Sequence, residues 1–165
     1  MPASMTQIRP FKSQDQEAVL SLIENIMQEE FQGEETAYPL DDLRNIEQAY
    51  HGRGEIFFVA EEGKRIIGTV AIKKEDGRVA LLRRLFVEKN YRKKKVGHQL
   101  MDQALRFCKQ DGYEEVVFKA TSKMEAARQI CQKAGFSQRA KIQLGPIELF
   151  KMTLSLSDGI KKNHA

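Results

Sequence analysis

The chain has 165 residues, of which 41% are hydrophobic and 30% are charged, and its formal net charge is +4. This composition predicts one globular domain over residues 1–165, with a core over about 6–156 and a flexible tail over 157–165. The small, local charge excess disfavours nucleic acid as a ligand, and we find neither a membrane-spanning stretch nor a signal-peptide pattern. Cys108 and Cys131 lie on apolar helix faces, which favours reduced thiols and a cytoplasmic location.

The first half of the chain predicts a strand, two helices and an antiparallel meander. A strand at Thr6–Arg9 precedes a helix that opens with the capping pattern Ser13–Gln16, and Pro39 is placed to start a shorter helix. Turn residues at 62–64 and 75–77 then separate three consecutive strands. These strands are predicted at Ile56–Glu61, Arg65–Lys73 and Val79–Val87.

The second half predicts a helix, a strand, a further helix and a closing hairpin. Apolar residues at helical spacing over 96–108 precede a strand at Glu115–Ala120, and the intervening helix makes that strand parallel to the one before it. Ser122–Glu125 opens the next helix, which Gly135 ends. The hairpin strands are Phe136–Leu144 and Ile147–Leu156.

The predicted fold class is therefore α/β, with the element order β-α-α-β-β-β-α-β-α-β-β. We expect a central, mixed, mostly antiparallel and twisted sheet of about seven strands, flanked by about four helices.

A cationic run lies in an unusual place, directly before the central helix. Residues 92–95 read Arg-Lys-Lys-Lys, although the N-terminus of a helix already carries partial positive charge. The run is explained if this turn holds a polyanion such as a phosphate, which Gly97 would let approach the backbone and His98 would touch. The alternative is a solvated basic turn with an exposed histidine, and charge alone leaves both interpretations open.

The element order and three motifs resemble the GNAT superfamily of N-acetyltransferases, which use acetyl-coenzyme A. The motifs are LLRRLFV at 81–87, YRKKKVG at 91–97 and ATSKMEAARQICQKAGF at 120–136. The resemblance extends over roughly Thr6 to Leu156. It implies that the fourth strand splays from the fifth, and that the pantetheine of the coenzyme lies between them.

The same resemblance assigns the coenzyme-binding residues. It implies that pantetheine bonds to backbone groups of Leu85, Phe86 and Val87. It further implies a pyrophosphate loop, in which Lys95 departs from the family by standing where the first glycine usually lies. That loop consists of Arg92, Lys93, Lys94, Lys95, Val96 and Gly97.

Two departures from the family concern catalysis. Cys131 occupies the position of a tyrosine whose hydroxyl protonates the leaving coenzyme thiolate, and Leu81 occupies the position of a glutamate base. Cys131 is either a proton donor or a small core residue, and its apolar spacing favours the core. Glu30, in the region that covers the acceptor site in this fold, is a candidate to relay a proton from an amine through water; surface exposure is the alternative.

Arg83 and Arg84 lie in an otherwise apolar strand. Strand alternation sends their side chains to opposite faces, so at least one enters a partly buried space, where an unpaired guanidinium is costly. Either an internal carboxylate or a carboxylate on the acceptor substrate would balance it.

The resulting hypothesis is an acetyltransferase that moves an acetyl group from acetyl-CoA to a primary amine of a small molecule, amino acid or peptide, by direct attack in a ternary complex. The alternative is a non-catalytic acyl-CoA sensor, suggested by the missing tyrosine and glutamate. We expect acetyl-CoA and an amine as partners, no metal, no nucleic acid and no membrane. A homodimer is left open.

Overall fold

The computed structural model describes residues 6–156, except for the side chain of Lys93. Seven strands and four helices follow one another in the predicted order, which confirms the predicted fold class. The strands are β1 (Thr6–Pro10), β2 (Ile56–Glu62), β3 (Arg65–Lys74), β4 (Val79–Val87), β5 (Glu115–Thr121), β6 (Ser137–Leu144) and β7 (Ile147–Ser155). The helices are α1 (Gln16–Glu30), α2 (Ile46–Ala49), α3 (Val96–Gln110) and α4 (Glu125–Ala134).

All seven strands form one sheet in the order β1-β2-β3-β4-β5-β7-β6. Tight turns connect β2, β3 and β4 as an antiparallel meander, as the turn residues predicted. Within the described sheet β4 and β5 form the one parallel pair, and α3 makes the crossover between them. The crossover therefore places the start of α3 just beyond the C-terminal end of β4.

The core is formed by the apolar faces of the helices on the sheet. Helix α3 packs across β1 to β4, α1 packs on β3, and α4 packs on β5 and α3. Of the α3 residues predicted at helical spacing, Val96, Leu100, Met101, Ala104 and Cys108 are buried and Leu105 is half-buried; Cys131 of α4 is buried as well. Both cysteines are free and buried. No helix within residues 6–156 combines the length and hydrophobicity needed to cross a membrane.

Helix α1 begins later than its capping pattern predicted. Ser13–Asp15 forms a 3-10 turn, and the α-helix starts at Gln16. Asp15 is the N-cap residue of α1 and makes no side-chain bond into that helix; its carboxylate instead accepts the Lys12 N–H before the 3-10 turn at 2.8 Å and pairs with Arg9 at 2.8 Å. The carboxylate thus ties β1 to the start of α1, and a charged acceptor there is stronger than a hydroxyl.

The second helix is divided, and Pro39 does not start it. A 3-10 turn covers Asp41–Arg44, then Asn45 takes an extended conformation with φ −150° and interrupts the helix before α2. The side chain of Asn45 caps α2 by accepting the Gln48 N–H at 3.3 Å. An asparagine that bonds its own local backbone competes with helix propagation, which explains the interruption.

Helix α4 also starts later than its capping pattern predicted. Its N-cap is Met124, which makes no side-chain capping bond and donates its N–H to the Thr121 carbonyl at 3.0 Å. The predicted stop is confirmed, since Gly135 adopts φ +106° at the end of the helix.

Gly97 allows α3 and α4 to pack closely. A Cβ atom at this position would lie 2.6 Å from Ile130 Cδ1 and 3.8 Å from Val87 Cγ2. The space that a side chain at position 97 would fill is therefore occupied by packed protein atoms. The sequence analysis had instead predicted that a phosphate approaches the backbone here. The glycine is needed first for helix packing.

We predict that Gly97→Ala and Ile130→Val are strongly coupled. The alanine Cβ overlaps Ile130 Cδ1, and Ile130→Val removes that atom, so the valine change should be less costly in the Gly97→Ala background. Chemical denaturation of the four proteins of the double-mutant cycle should give an interaction free energy on the order of 1 kcal/mol.

Gly77 provides the matched control, because a Cβ there would meet no atom within 4 Å. Gly77→Ala should combine additively with Ile130→Val. Additivity at Gly97 as well would contradict the packing role of that glycine.

Candidate functional site

The site begins where β4 and β5 part. Their parallel pairing runs from Val79–Glu115 to Leu82–Phe118, and no later pair joins the two strands within residues 6–156. Beyond Leu82, the edge of β4 that faces β5 therefore carries backbone groups without a strand partner. The opening lies between two central strands rather than at the edge of the sheet.

A β-bulge in β4 marks the point of separation. Arg84 has φ +56°, which is rare for a residue with a side chain, and the pairing with β3 shifts register between Thr69 and Ala71. The Thr69 hydroxyl donates to the Arg84 carbonyl at 2.6 Å inside the core and holds this conformation. The bulge lies two residues beyond the last β4–β5 pair, and a bulged strand bends at such a point, which accounts for the end of the pairing.

Two pockets open where β4 and β5 separate, and their linings share three residues, Leu85, Phe86 and Met124. The first, here called the helix-side pocket, is lined by Ile26, Glu30, Phe31, Leu85, Phe86, Val87, Arg92, Gly97, Lys123, Met124, Ala126, Ala127 and Ile130. The second, here called the loop-side pocket, is lined by Ala37, Tyr38, Leu81, Leu82, Arg83, Arg84, Leu85, Phe86, Phe118, Lys119, Met124 and Leu149. The two pockets therefore adjoin at β4, where ligands in both could meet.

The cationic run lies at the mouth of the helix-side pocket. Residues 89–94 form a 3-10 turn, and α3 starts immediately after Lys95, so the first N–H groups of the helix have no intrahelical acceptors. Lys94 and Lys95 are exposed and His98 is half-buried, whereas Val96 is fully buried. A cation-rich helix start beside an apolar pocket suits a ligand with a phosphate group and an apolar chain.

Lys95 adopts the left-handed conformation, with φ +65° and ψ 17°. For a residue with a Cβ atom, the left-handed conformation costs about 1–2 kcal/mol of conformational free energy. This cost explains the glycine that usually stands at this position in the family that the motif resembles.

Arg92 and Glu30, two of the predicted site residues, bind each other. The Arg92 guanidinium donates to both oxygens of Glu30, at 2.7 and 2.6 Å, and its Nε donates to the Val87 carbonyl at 2.9 Å. Arg92 thereby fixes the end of β4 to the end of α1. Glu30 is a wall of the helix-side pocket in this arrangement, and both its oxygens are engaged.

In the loop-side pocket, Arg84 is paired with an internal carboxylate. Its Nε donates to Asp42 Oδ2 at 3.1 Å, its Nη2 donates to Asp42 Oδ1 and to the Pro39 carbonyl, and its side chain is 1% exposed. Burial alone would raise the pKa of Asp42, but the hydrogen bonds and charge of Arg84 outweigh it and hold that pKa below its ordinary value. Tyr50 also donates to Asp42, at 2.5 Å. Of the two alternatives for these arginines, the internal carboxylate applies to Arg84.

Arg83 is placed differently from Arg84. Its side chain is 27% exposed, and its Nη1 lies 3.9 Å from Asp42 Oδ2, which is too long for a hydrogen bond. It lines the loop-side pocket together with Lys119 of β5.

Tyr38 supplies the one hydroxyl among the residues that line the two pockets. Its O–H donates to the Lys119 carbonyl at 2.5 Å, on the part of β5 that has separated from β4. Burial, with a contribution from the Glu34 carboxylate, raises the pKa of Tyr38 well above its ordinary value, so the hydroxyl is protonated at neutral pH.

Glu34, four residues after Glu30, is buried. Only 4% of its surface is accessible, and the Thr121 hydroxyl donates to its Oε1 at 2.7 Å. Glu29, by contrast, is exposed.

Cys131 is fully buried, and it is absent from the described lining of both pockets. Burial raises the pKa of its thiol to about 12. The structure therefore places it in the packing between α4 and the sheet. The side chain of Lys93, also among the predicted site residues, lies outside the described part of the chain.

Tyr38, Asp42 and Lys119 belong to the site, although no sequence pattern indicated them. Tyr38 lies in a polar segment without periodicity and Asp42 lies in the short helix predicted to start at Pro39, and both reach the pocket only through tertiary contacts with Lys119 and Arg84. The unbalanced arginine pair in β4 was the one signal that required a partner such as Asp42.

Comparison with known proteins gives one family. The model of the family described as "Acetyltransferase (GNAT) family" matches residues 20–136, which is more than half of the chain. A probable N-acetyltransferase camello from Xenopus tropicalis is 26% identical over 120 residues, covering 71% of this chain and 54% of that protein. An N-acetylaspartate synthetase from the same organism is 33% identical over 97 residues, covering 58% of this chain and 36% of that protein. The chain thus spans about half, or less, of the length of these relatives.

Solved structures show the same fold. An acetyltransferase of the GNAT family from Staphylococcus aureus Mu50 superposes with a TM-score of 0.83 at 23% identity, covering 92% of this chain and 99% of that one. A putative acetyltransferase from Salmonella typhimurium, solved with acetyl-CoA, gives a TM-score of 0.76 at 17% identity, covering 93% of this chain and 95% of that one. The family model matches more than half of the chain, and the shared fold agrees with that match. The chain therefore belongs to the acetyltransferase (GNAT) family.

Proposed function

We propose that this protein transfers an acetyl group from acetyl-CoA to a primary amine, which attacks directly while both substrates are bound. The observation that carries the proposal is the parting of β4 from β5, with one pocket on each side and shared residues at the junction. Such a cleft lets two ligands meet at a backbone edge that can donate hydrogen bonds. The relatives named N-acetyltransferase support nitrogen as the acceptor atom.

The helix-side pocket suits the coenzyme. Its apolar wall of Phe31, Ala127 and Ile130 fits a pantetheine chain, and the unpaired backbone of Leu85 and Phe86 provides polar groups for its amides. Phosphates fit the start of α3, where free N–H groups, Lys94 and Lys95 combine. Bound acetyl-CoA supplies an acetyl thioester at the junction of the pockets.

Arg92 has a positioning role in this proposal. Its three hydrogen bonds to Val87 and Glu30 use its guanidinium inside the protein, so it holds the floor of the pocket in place. Its positive charge is largely balanced by Glu30. The groups that attract the phosphates are therefore mainly the backbone N–H groups at the start of α3 and the exposed lysines there.

The transfer forms an N–C bond and breaks a C–S bond, while the amine loses a proton and the thiolate gains one. In the described structure Tyr38 directs its proton to the Lys119 carbonyl, and Cys131 is packed away from both pockets. We propose that the thiolate leaves without a protein acid, since a thiol has an ordinary pKa of roughly 8.5 and its anion is a tolerable leaving group. The amine must lose its proton to water or to a group reached through water.

The alternative is a sensor that binds acyl-CoA without turnover. Leu81 in place of the family's glutamate base, together with the Arg92–Glu30 ion pair, favours this reading. Measuring coenzyme release against a panel of amines, amino acids and peptides separates the two. Turnover supports the enzyme, and tight acetyl-CoA binding with no turnover on any acceptor would support the sensor.

We predict that Lys94→Gln combined with Lys95→Gln weakens acetyl-CoA binding by roughly 3- to 10-fold, because two exposed cations near the phosphates are lost. Acetylpantetheine, which has no diphosphate or ribose phosphate, should bind the variant and the original protein equally. Titration calorimetry at low and high salt checks both statements, since only the coenzyme contact should be salt-sensitive.

Lys109→Gln is the matched control, because Lys109 is an exposed lysine in the last turn of the same helix, α3. It should leave both affinities unchanged. An equal loss for acetylpantetheine and acetyl-CoA would argue against a phosphate site at the start of α3.

We predict that neither Cys131→Ala nor Tyr38→Phe lowers kcat by the roughly 100-fold typical of a lost general acid. Cys131→Ala should instead lower the free energy of unfolding by about 1 kcal/mol, because it opens a small cavity in the core. Single-turnover kinetics and denaturation curves check these outcomes. A hundredfold fall in kcat with coenzyme affinity intact would identify the mutated residue as the proton donor.

A further inference from the structure

The loop-side pocket has an excess of positive charge. Its described lining includes Arg83, Arg84 and Lys119 but no Asp or Glu. Behind the wall, Asp42 is the carboxylate in contact with both guanidinium groups. Asp42 therefore faces two guanidinium groups, with Lys119 in addition. The Glu34 carboxylate near Tyr38 adds a second negative charge, so the cations outnumber the carboxylates by three to two.

Arg84 has a hydrogen-bond donor that the protein leaves unused. Nε and Nη2 are bonded to Asp42 and to the Pro39 carbonyl, but the buried Nη1 has no hydrogen-bond partner among the described residues. A buried, charged N–H group without an acceptor is unusual, because its desolvation is not compensated. Arg84 lies in the wall of the pocket, and its Nη1 is itself buried, so a ligand accepts this hydrogen bond by displacing the wall atoms that cover Nη1.

Arg83 provides a second donor group in the same pocket. The bulge at Arg84 interrupts regular strand alternation, and the two consecutive arginines both line the loop-side pocket. The half-buried side chain of Arg83 has its Asp42 contact at 3.9 Å, so its guanidinium remains available for a planar, two-oxygen partner.

We infer that the loop-side pocket binds a carboxylate of the acceptor, held between Arg83 and the free Nη1 of Arg84. The acceptor is then an amine that carries a carboxylate, such as an amino acid. This inference rests on the proposed function, because it gives the substrate class of the same cleft. The carboxylate supplies the negative charge that the pocket lacks and accepts the unused hydrogen bond.

The test compares acceptors that differ only in the carboxylate. L-alanine against L-alaninamide tests an α-carboxylate, and L-aspartate against L-asparagine tests a side-chain carboxylate. The acid of at least one pair should have a roughly 10- to 100-fold higher kcat/KM, mostly through KM, since a charged hydrogen-bonded group is lost in the amide. The pair that shows the preference identifies which carboxylate is bound.

Arg83→Met should reduce that preference by roughly tenfold, and its partly exposed position allows the fold to persist. Arg78→Met is the matched control, because Arg78 is an exposed arginine paired with Glu114 beside β4 and away from both pockets. It should leave the preference unchanged. Equal use of acids and amides, or an unchanged preference in Arg83→Met, would overturn the inference.

A binding measurement separates failure of this inference from failure of the proposed function. N-acetyl-L-alanine, N-acetyl-L-aspartate and their amides are titrated calorimetrically into the protein saturated with coenzyme A. Selective binding of an acid that Arg83→Met abolishes supports the carboxylate site, even if no amine is acetylated and the transferase proposal fails. Acetylation without carboxylate preference overturns only the inference, and no binding with no turnover overturns both.

Discussion

The loss of pairing between β4 and β5 after Leu82–Phe118 is the constraint on which the rest of the site depends. A central pair of parallel strands normally satisfies both backbone edges, so leaving one edge open in the interior carries a cost. The Arg84 bulge, fixed by the Thr69 hydroxyl, enforces the separation, and the α3 crossover brings a helix N-terminus to the end of the same strand. One local irregularity thus creates two pockets and their meeting point.

Ion pairs fix the segments that enclose this opening. Arg92 ties the end of β4 to α1 through Glu30, and Arg84 ties the middle of β4 to the 3-10 turn at Asp42. Both arginines bind carboxylates of the protein itself, but they differ in the hydrogen-bond donors that stay unused. Each guanidinium nitrogen of Arg92 makes a hydrogen bond, whereas the buried Nη1 of Arg84 makes none among the described residues, and Arg83 lies beside it. The charge that is free to meet a ligand therefore lies on the loop side of β4 and on the exposed lysines at the start of α3.

Periodicity and turn chemistry were enough to predict the order of strands and helices, because the apolar faces of α3 and the meander are regular. Helix starts were less predictable, since the N-cap position is Asp15 instead of Ser13 in α1 and Met124 instead of Ser122 in α4, and neither side chain caps its helix. The site was predicted on β4 and the α3 start, where a motif exists. Tyr38, Asp42 and the Glu30–Arg92 pair depend on contacts between residues more than 40 positions apart, which no local pattern encodes.

The most direct test of this account is amide NMR of the protein during titration with acetyl-CoA. The open edge of β4 should take up the ligand, so the amide signals of Leu85, Phe86 and Val87 should shift and become protected from hydrogen exchange. Those of Ala80 and Leu82, which face β5 in the paired part of the strand, should change far less. Saturation by acetyl-CoA with the signals of 85–87 unchanged would contradict the central claim that the parted strands form the binding cleft.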